Sequence, residues 1–273
     1  MKIRVIVVAK TYPELSKKYG PIVCTAGLTE GALEWVRLYP IPYRIFLRDK
    51  GFSKWDVIEV EVIKPSRDPR KESLKVVDSN NIKVLRHIDS WGERLRIITK
   101  VLDKDVESVV SSGRSLGVIK PRVVEDFKIK PRERLRDEAE LEVLKKMYEA
   151  QATLLEYINR DELRSEILSD VFEDDVSIEP IPWIGYKFYC GNPRCRGHEM
   201  MVIDWEYQEL FRKYRSEAPV RSKVYEEFLR DRELFFIIGN TWRYRKSFMI
   251  VGVFYPPKGT KPLGDITEFL KRS

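Results

Sequence analysis

The chain has 273 residues, enough for two domains of ordinary size that each bury their own core. Hydrophobic residues make up 43% of it and charged residues 34%, a balance that excludes a largely disordered protein. The net charge of +7 is unevenly spread, because both ends of the chain are basic while residues 131–180 are acidic. A basic surface attracts nucleic acid or anionic membranes, although a thermophilic excess of charge would also produce such a split.

The composition also predicts where the protein works. Three cysteines are too few for a disulfide scaffold. No apolar run approaches the roughly 20 residues that a membrane-spanning helix needs, and the basic start of the chain lacks the cleavage site of a signal peptide. Gln and Asn are scarce beside 50 Lys and Arg and 43 Asp and Glu, as in thermophilic proteins. We therefore expect a cytoplasmic protein from a thermophile, with no membrane contact.

The first 130 residues predict a mostly-β domain. Residues 3–9 and 57–63 are rich in β-branched residues, and the second run alternates apolar side chains with Glu, as in a half-buried strand. Between them, short apolar runs are interrupted by Gly27, Gly31, Pro40 and Pro42, a rhythm that favours a small barrel. Residues 91–112 have a helical pattern, and residues 113–129 return to loop and strand.

Residues 131–180 predict an acidic helical segment and linker. Apolar side chains from Leu135 to Tyr157 recur in steps of three and four, which indicates one long amphipathic helix over 132–158. Asp161 is placed to cap a shorter second helix, and the acidic run that follows ends in prolines. A solvated helical hairpin packed on one neighbour explains this charge without any further role.

Residues 181–273 predict an α+β domain. Four apolar runs beginning at Tyr186, Glu199, Glu233 and Ser247 indicate strands, and two helical patterns lie between the second and the third. Asp204 and Ser222 occupy the expected helix-cap positions, and the residues NTWRYRK, 240–246, form a predicted hairpin loop. The whole chain is therefore predicted to be α+β, with domains at 1–130 and 181–273.

Two cysteines and a histidine fall within nine residues, with the spacing Cys-x4-Cys-x2-His. Cys190, Cys195 and His198 lie on a predicted turn between strands, and thiolate and imidazole are the ligands that zinc prefers. A structural zinc site needs a fourth ligand, for which we considered Cys24, His87 and Glu199. Three interpretations stay open at this point: a structural zinc ion, ordinary buried or disulfide-forming cysteines beside a surface histidine, and a catalytic metal with a bound water.

Aromatic and basic residues repeatedly occur together. Single-strand nucleic-acid binders combine aromatic rings, on which bases stack, with cations that follow the phosphates. Two loops, at 66–73 and 113–122, add further cations, and neither has the spacing of a nucleotide triphosphate site. The predicted nucleic-acid contacts are Trp35, Arg37, Tyr43, Arg44, Arg67, Arg70, Arg114, Lys120, Arg122, Trp242, Arg243, Tyr244 and Arg245. The alternative is that the aromatic residues near Trp35 belong to the core.

A family resemblance supports the barrel. The runs SKKYG (16–20), CTAG (24–27), EWVRL (34–38) and SLGVIKP (115–121) resemble the dual OB-containing domains of prokaryotic proteins. The resemblance covers about the first 125 residues. It implies small OB-like barrels that bind nucleic acid or a protein partner.

The sequence thus favours a non-catalytic nucleic-acid-binding protein, for DNA or RNA in single-stranded form, acting with a partner protein that performs the chemistry. Two alternatives remain. The first is a metal-dependent nuclease or nucleic-acid-modifying enzyme built on the Cys/His turn with Asp204 and Glu206. The second is a protein–protein adaptor that docks through the long helix.

Overall fold

The computed structural model describes residues 1–16, 20–47, 51–130 and 182–264. It contains an N-terminal β-barrel and a C-terminal α+β region, so the predicted fold class is confirmed. The long helix predicted over 132–158 and the helix cap predicted at Asp161 lie outside the described residues. Within those residues, every helix is too short or too polar to cross a membrane.

The strands follow one another along the chain with few helices between them. They are β1 Lys2–Lys10, β2 Glu14–Ser16, β3 Gly20–Thr29, β4 Trp35–Pro42, β5 Asp56–Ile63, β6 Ser73–Val76, β7 Lys83–His87, β8 Leu102–Asp103, β9 Leu116–Ile119, β10 Val123–Lys130, β11 Trp183–Tyr189, β12 His198–Met201, β13 Phe235–Asn240 and β14 Phe248–Phe254. The helices are α1 Arg44–Leu47, α2 Trp91–Lys100, α3 Val106–Ser111, α4 Trp205–Tyr214 and α5 Glu217–Lys223, the last continued by a π-helical turn, Val224–Leu229.

Five strands close into a barrel in the order β1-β3-β4-β6-β5, because β5 pairs again with β1. Every pair is antiparallel except β4 with β6, which is parallel. A five-stranded barrel of this Greek-key kind is the OB-fold arrangement. The chain is therefore OB-like in its first hundred residues.

Strand β1 is buried on both of its faces, which explains the unbroken apolar run at residues 5–9. Val5 and Val7 point into the barrel, whereas Ile6 and Val8 point outward into a second core. Successive side chains of a strand alternate between faces, so an apolar residue is needed at each position.

The C-terminal region covers the outer face of the barrel. Its four-stranded sheet, β14-β13-β9-β8, packs Leu116 and Ile237 against the barrel residues Ala26 and Leu28. The other face of this sheet packs on a three-stranded sheet, β10-β11-β12, and on helices α4 and α5. Barrel and C-terminal region thus share a continuous core.

Strands β9 and β10 pair with strands of the C-terminal region, although the sequence analysis assigned residues 116–130 to the first domain. Ile119 is paired with Phe236, and Lys130 with Trp183. One predicted helix cap was wrong: Ser222 lies inside α5, which begins after Ser216. The predicted cap Asp204 is the N-cap of α4, and its side chain accepts a hydrogen bond from the backbone amide of Glu206.

Candidate metal centre and nucleic-acid interface

The Cys/His turn brings its three ligand atoms together. Cys190 follows β11 and His198 opens β12, and the pairing of these two strands holds them side by side. Gly197 has a φ of +94°, a conformation that favours glycine and lets the turn carry Cys195 back toward Cys190. The two sulfur atoms and a ring nitrogen of His198 all lie within 4.8 Å of one another, and His198 Nε2 is 3.4 Å from Cys190 Sγ.

These positions fit a zinc ion. Zinc bonds of about 2.3 Å to sulfur and 2.0–2.1 Å to nitrogen place the ligand atoms of a tetrahedral site roughly 3.3–3.8 Å apart. The observed separations need only a small contraction. Burial raises the pKa of the Cys190 thiol and lowers that of His198, which keeps the imidazole in the neutral form that binds metals.

A carboxylate from α3 lies beside this group. Glu107 Oε2 is 3.7 Å from Cys190 Sγ, and Glu107 Oε1 is 3.9 Å from His198 Nε2. Asp105 caps α3 and fixes the helix so that Glu107 faces the turn. Glu107 can therefore supply the fourth ligand, which would join the β11–β12 hairpin to α3. The sequence analysis missed it because it lies 83 residues before Cys190.

The three candidates considered for that ligand have other partners. Cys24 accepts from Arg37 on the barrel, and His87 is bonded through Nδ1 to Asp56, 2.6 Å away. Glu199 is paired with Lys128 and Lys130, both at 2.5 Å. None of these contacts reaches the Cys/His turn. The expectation that Cys24, His87 or Glu199 supplies the fourth ligand is therefore corrected.

The carboxylates proposed for the enzyme interpretation are engaged away from the turn. Asp204 is fully buried and accepts hydrogen bonds from Lys54 Nζ and from the backbone amides of Glu206 and Val253. Glu206 pairs with Lys54 at 3.0 Å. Neither carboxylate contacts a residue of the Cys/His turn in the described part of the chain, so the geometry does not assemble the predicted metal-and-carboxylate site.

Three loops that the sequence analysis singled out meet at Ser115. We call residues 64–72 the barrel loop and residues 241–247 the tip loop. The backbone amide of Ser115 donates to Glu72 Oε1 at 2.8 Å, and the Ser115 carbonyl accepts from the backbone amide of Asn240 at 3.2 Å. These bonds join the barrel loop, the residues before β9 and the start of the tip loop.

Arg70 adds a direct bond between the barrel loop and the end of β13, from which the tip loop starts. Its Nη1 donates to the carbonyl of Asn240 at 2.6 Å, and its other nitrogens bind Asp68. Although burial raises the pKa of Asp68, hydrogen bonds from Arg70 and Ser73 outweigh it and lower the pKa to about 2. The predicted phosphate contact at Arg70 is thus corrected: this guanidinium is already occupied and orients the two loops.

The tip loop presents aromatic and basic side chains to solvent. Trp242 is 52% exposed and Tyr244 70%, and Arg243 and Arg245 between and beside them are exposed as well. Arg67 of the barrel loop is also exposed. Asn240 holds the tip loop closed by donating through Nδ2 to the carbonyl of Arg245 at 2.6 Å.

Trp35 and Arg37 lie in the interior instead. The outer face of β3 and β4 is covered by the C-terminal sheet, which leaves Trp35 8% and Arg37 5% exposed. Arg37 donates to the carbonyl of Ser115 at 3.1 Å. Their predicted contact with nucleic acid is corrected, because neither has a surface to offer a ligand.

The remaining predicted contacts are scattered. Tyr43 packs on Trp205, with 5.3 Å between ring centres, and Arg44 begins α1. Arg114 pairs with Asp103, Lys120 with Glu233 at 2.7 Å, and Arg122 is exposed before β10. The structure does not bring them to the tip loop as a single group.

Comparison with known proteins gives family descriptions without an activity. Residues 1–100 match the model described as Domain of unknown function (DUF8758), and residues 101–271 match that of Domain of unknown function (DUF8757). No protein of curated function matches the sequence. Among solved structures, the crystal structure of the p204 HINb domain aligns over 94% of this chain and 96% of that one, with 11% identity. Its TM-score of 0.34 is too low to establish a shared fold.

Proposed function

The chain belongs to the family described as Domain of unknown function (DUF8757), and we propose that it is a non-catalytic nucleic-acid-binding protein that holds single-stranded DNA or RNA against its tip loop. One observation carries the proposal: Trp242 and Tyr244 are exposed side by side with Arg243 and Arg245. Exposed rings cost free energy in water unless a ligand covers them, and bases stack on such rings while arginines contact phosphates.

The barrel loop supports the same surface. In OB-folds, the loops between strands one and two and between strands four and five take part in oligonucleotide binding. The barrel loop connects β5 to β6, which are the fourth and fifth barrel strands, and Arg70 ties it to Asn240 at the base of the tip loop. Because the C-terminal sheet covers the outer face of β3 and β4, we propose that nucleic acid binds instead at the barrel loop and the tip loop. Arg67 would be a further phosphate contact there.

A structural zinc ion belongs to this proposal. Cys190, Cys195, His198 and Glu107 would hold it, and when bound it would supply a cross-link between the β11–β12 hairpin and α3. The residues around it contribute the ligand geometry: the hairpin pairing orients His198, and the Asp105 cap orients Glu107. A partner protein that performs chemistry is also part of the proposal.

The test is binding of labelled single-stranded DNA and RNA, measured by fluorescence anisotropy over a range of salt concentrations. Trp242→Ala should weaken binding by about 1–3 kcal/mol and leave the salt dependence unchanged, because stacking releases no counterions. Arg243→Gln should reduce the slope of log K against log salt by roughly 0.7–0.9. Tyr214→Ala, an exposed aromatic residue on α4, and Lys83→Gln on β7 are the matched controls.

Two results would overturn the proposal. The first is a wild-type protein with no salt-sensitive affinity for any DNA or RNA at low ionic strength. The second is that the tip-loop variants bind DNA and RNA as strongly as the control variants do.

A further inference from the structure

A second candidate site lies away from the tip loop, where the end of β1 and the segment before β5 meet helix α4. It is a cavity of about 340 Å³ lined by Lys10, Trp205, Glu206, Leu210 and Lys213, among others. This volume is in the range of small-molecule sites, which combine apolar walls with a few polar groups.

Lys10 lies in this cavity with its ammonium group against a backbone carbonyl and aromatic rings. Its ammonium donates to the carbonyl of Phe52 at 2.7 Å and lies 4.7 Å from the ring centre of Phe46 and 5.0 Å from that of Trp205. Among the side chains that the structure describes, at residues 1–13, 21–43, 45–46, 51–130 and 182–264, no Asp or Glu forms an ion pair with it. An ammonium group has three donors, so two remain for a ligand.

The carboxylates of the wall are already matched. Glu206 pairs with Lys54 at 3.0 Å, and Glu209 pairs with Arg212 at 2.8 Å and accepts from the indole of Trp205. Lys213, like Lys10, has no ion pair in the part of the chain that the structure describes. The wall therefore carries two ammonium groups that form no ion pair with the described side chains.

On balance, the surroundings of Lys10 disfavour its charged form. Burial, followed by repulsion from Lys54, lowers the pKa of Lys10 to about 8, and attraction from Glu206, Asp56 and Asp204 opposes this only in part. An anion placed in the cavity would supply the missing charge. Its binding would be strongest where Lys10 is protonated.

We propose that this cavity binds a phosphate monoester carried on an aromatic ring, as in a nucleoside monophosphate, with Lys10 and Lys213 on the phosphate and Trp205 and Leu210 beside the ring. A phosphate offers three oxygens to the two ammonium groups, and the indole and leucine supply an apolar wall for the ring. The ligand is either a free nucleotide or the 5′-phosphorylated end of a strand, which present the same chemistry.

Calorimetry with adenosine monophosphate, inorganic phosphate and adenosine as probes tests this. We expect the monophosphate to bind more tightly than either fragment. Lys10→Met keeps the apolar contacts of the side chain and should weaken monophosphate binding by about tenfold or more, as expected for loss of a charged hydrogen bond. Lys213→Gln, at an exposed position, should weaken it about threefold. Lys83→Gln, at an exposed position on β7, should leave it unchanged.

The pH dependence provides a separate readout. A phosphate monoester is already dianionic above about pH 7 because its second pKa is about 6. Affinity should therefore stay level to about pH 8, the pKa of Lys10, and fall above it, whereas Lys10→Met should not show this fall.

The source of the phosphate is tested by comparing 5′-phosphorylated with 5′-hydroxyl oligonucleotides in the Trp242→Ala background. Tighter binding of the phosphorylated strand than of the free monophosphate indicates a strand end. The reverse order of affinities indicates a free nucleotide.

The proposal fails if neither adenosine monophosphate nor inorganic phosphate binds the wild-type protein at millimolar concentration. It also fails if Lys10→Met and Lys213→Gln both bind like the wild type. Should circular dichroism show that Lys10→Met does not fold, Lys213→Gln decides. This test is independent of the tip loop, so the outcome can differ from that of the oligonucleotide titration.

Discussion

Lys54 of the barrel and Asp204 of the C-terminal region form a buried ion pair, with 2.6 Å between Nζ and Oδ2 and side chains 5% and 0% exposed. The same carboxylate caps α4 and accepts from the backbone amide of Val253 in β14. Beside it, the amide of Tyr12 donates to the carbonyl of Ile203 at 2.8 Å. One aspartate thus joins the segment before β5, a helix and a strand, next to the cavity that contains Lys10.

Breaking this pair should destabilise the whole molecule. Lys54→Met leaves the Asp204 carboxylate buried without its cation, which costs about 3–5 kcal/mol. Lys54→Met combined with Asp204→Asn should be less destabilised than the sum of the single variants, because no buried charge remains. Urea denaturation measures both. Lys83→Met is the control, and a loss below about 1 kcal/mol for Lys54→Met would contradict a structural role for the pair.

The metal centre should hold about one zinc ion per chain after purification without chelators. Cys195→Ser should lose the metal and lower the melting temperature, since metal binding and folding are linked. Glu107→Gln should retain the ion but release it to a chelator more readily than wild type, while Glu226→Gln should not. Mass-spectrometric metal analysis and thermal melts measure these effects. Equal melting temperatures for wild type and Cys195→Ser before chelation would argue against a structural ion.

The Asp68–Arg70 pair should contribute a pH-dependent stability. The folded pKa of Asp68, about 2, lies below its ordinary value of 3.8, so the stabilisation is present above pH 3.8 and is lost as the pH falls through 2. Because both side chains are partly exposed, we expect a discounted effect of about 1–2 kcal/mol at pH 7. Asp68→Asn should therefore be less stable than wild type at pH 7 and nearly equal at pH 2 in urea denaturation. A constant difference between the two proteins across this range would exclude the mechanism.

The charged form of Lys10, unlike that of Asp68, should destabilise the folded protein at neutral pH. Its folded pKa of about 8 lies below the ordinary 10.5, so the unfolded chain binds more protons between these values and the wild type gains stability as the pH rises from 8 to 10.5. Lys10→Met should be more stable than wild type at pH 7, with a gap that narrows over that window. Thermal melts at pH 7 and pH 10 measure it, and a gap that widens with pH would contradict the assignment.

Local sequence pattern predicted the fold class well, because period and turn chemistry are local properties. The alternation at residues 57–63 became β5, and the four apolar runs of the C-terminal region became β11 to β14. The sequence pattern could not show which face of the barrel the C-terminal sheet covers. Trp35 and Arg37 have the composition of a binding strand, and only the packing of the C-terminal sheet on β3 and β4 makes them core.

The candidate sites show the same limit. The turn around Cys190 was visible because its ligands lie close in sequence, whereas Glu107 and the partnership of Lys54 with Asp204 depend on contacts between residues 83 and 150 positions apart. Lys10 has no local signal at all. Its distinguishing property is an ammonium group that contacts aromatic rings and forms no ion pair with the described side chains, which only the tertiary arrangement reveals.

The strand pair β10–β11 has a consequence for how this protein can vary. Lys130 and Trp183 face each other as direct partners, so the chain leaves the sheet and returns to it at the same place. Loop-closure entropy grows only slowly with length, and both ends of the interval are anchored by the same ladder. The ends of β10 and β11 that face each other therefore mark a position where evolution or a protein engineer can change the length of the chain between the two strands while their ladder stays paired.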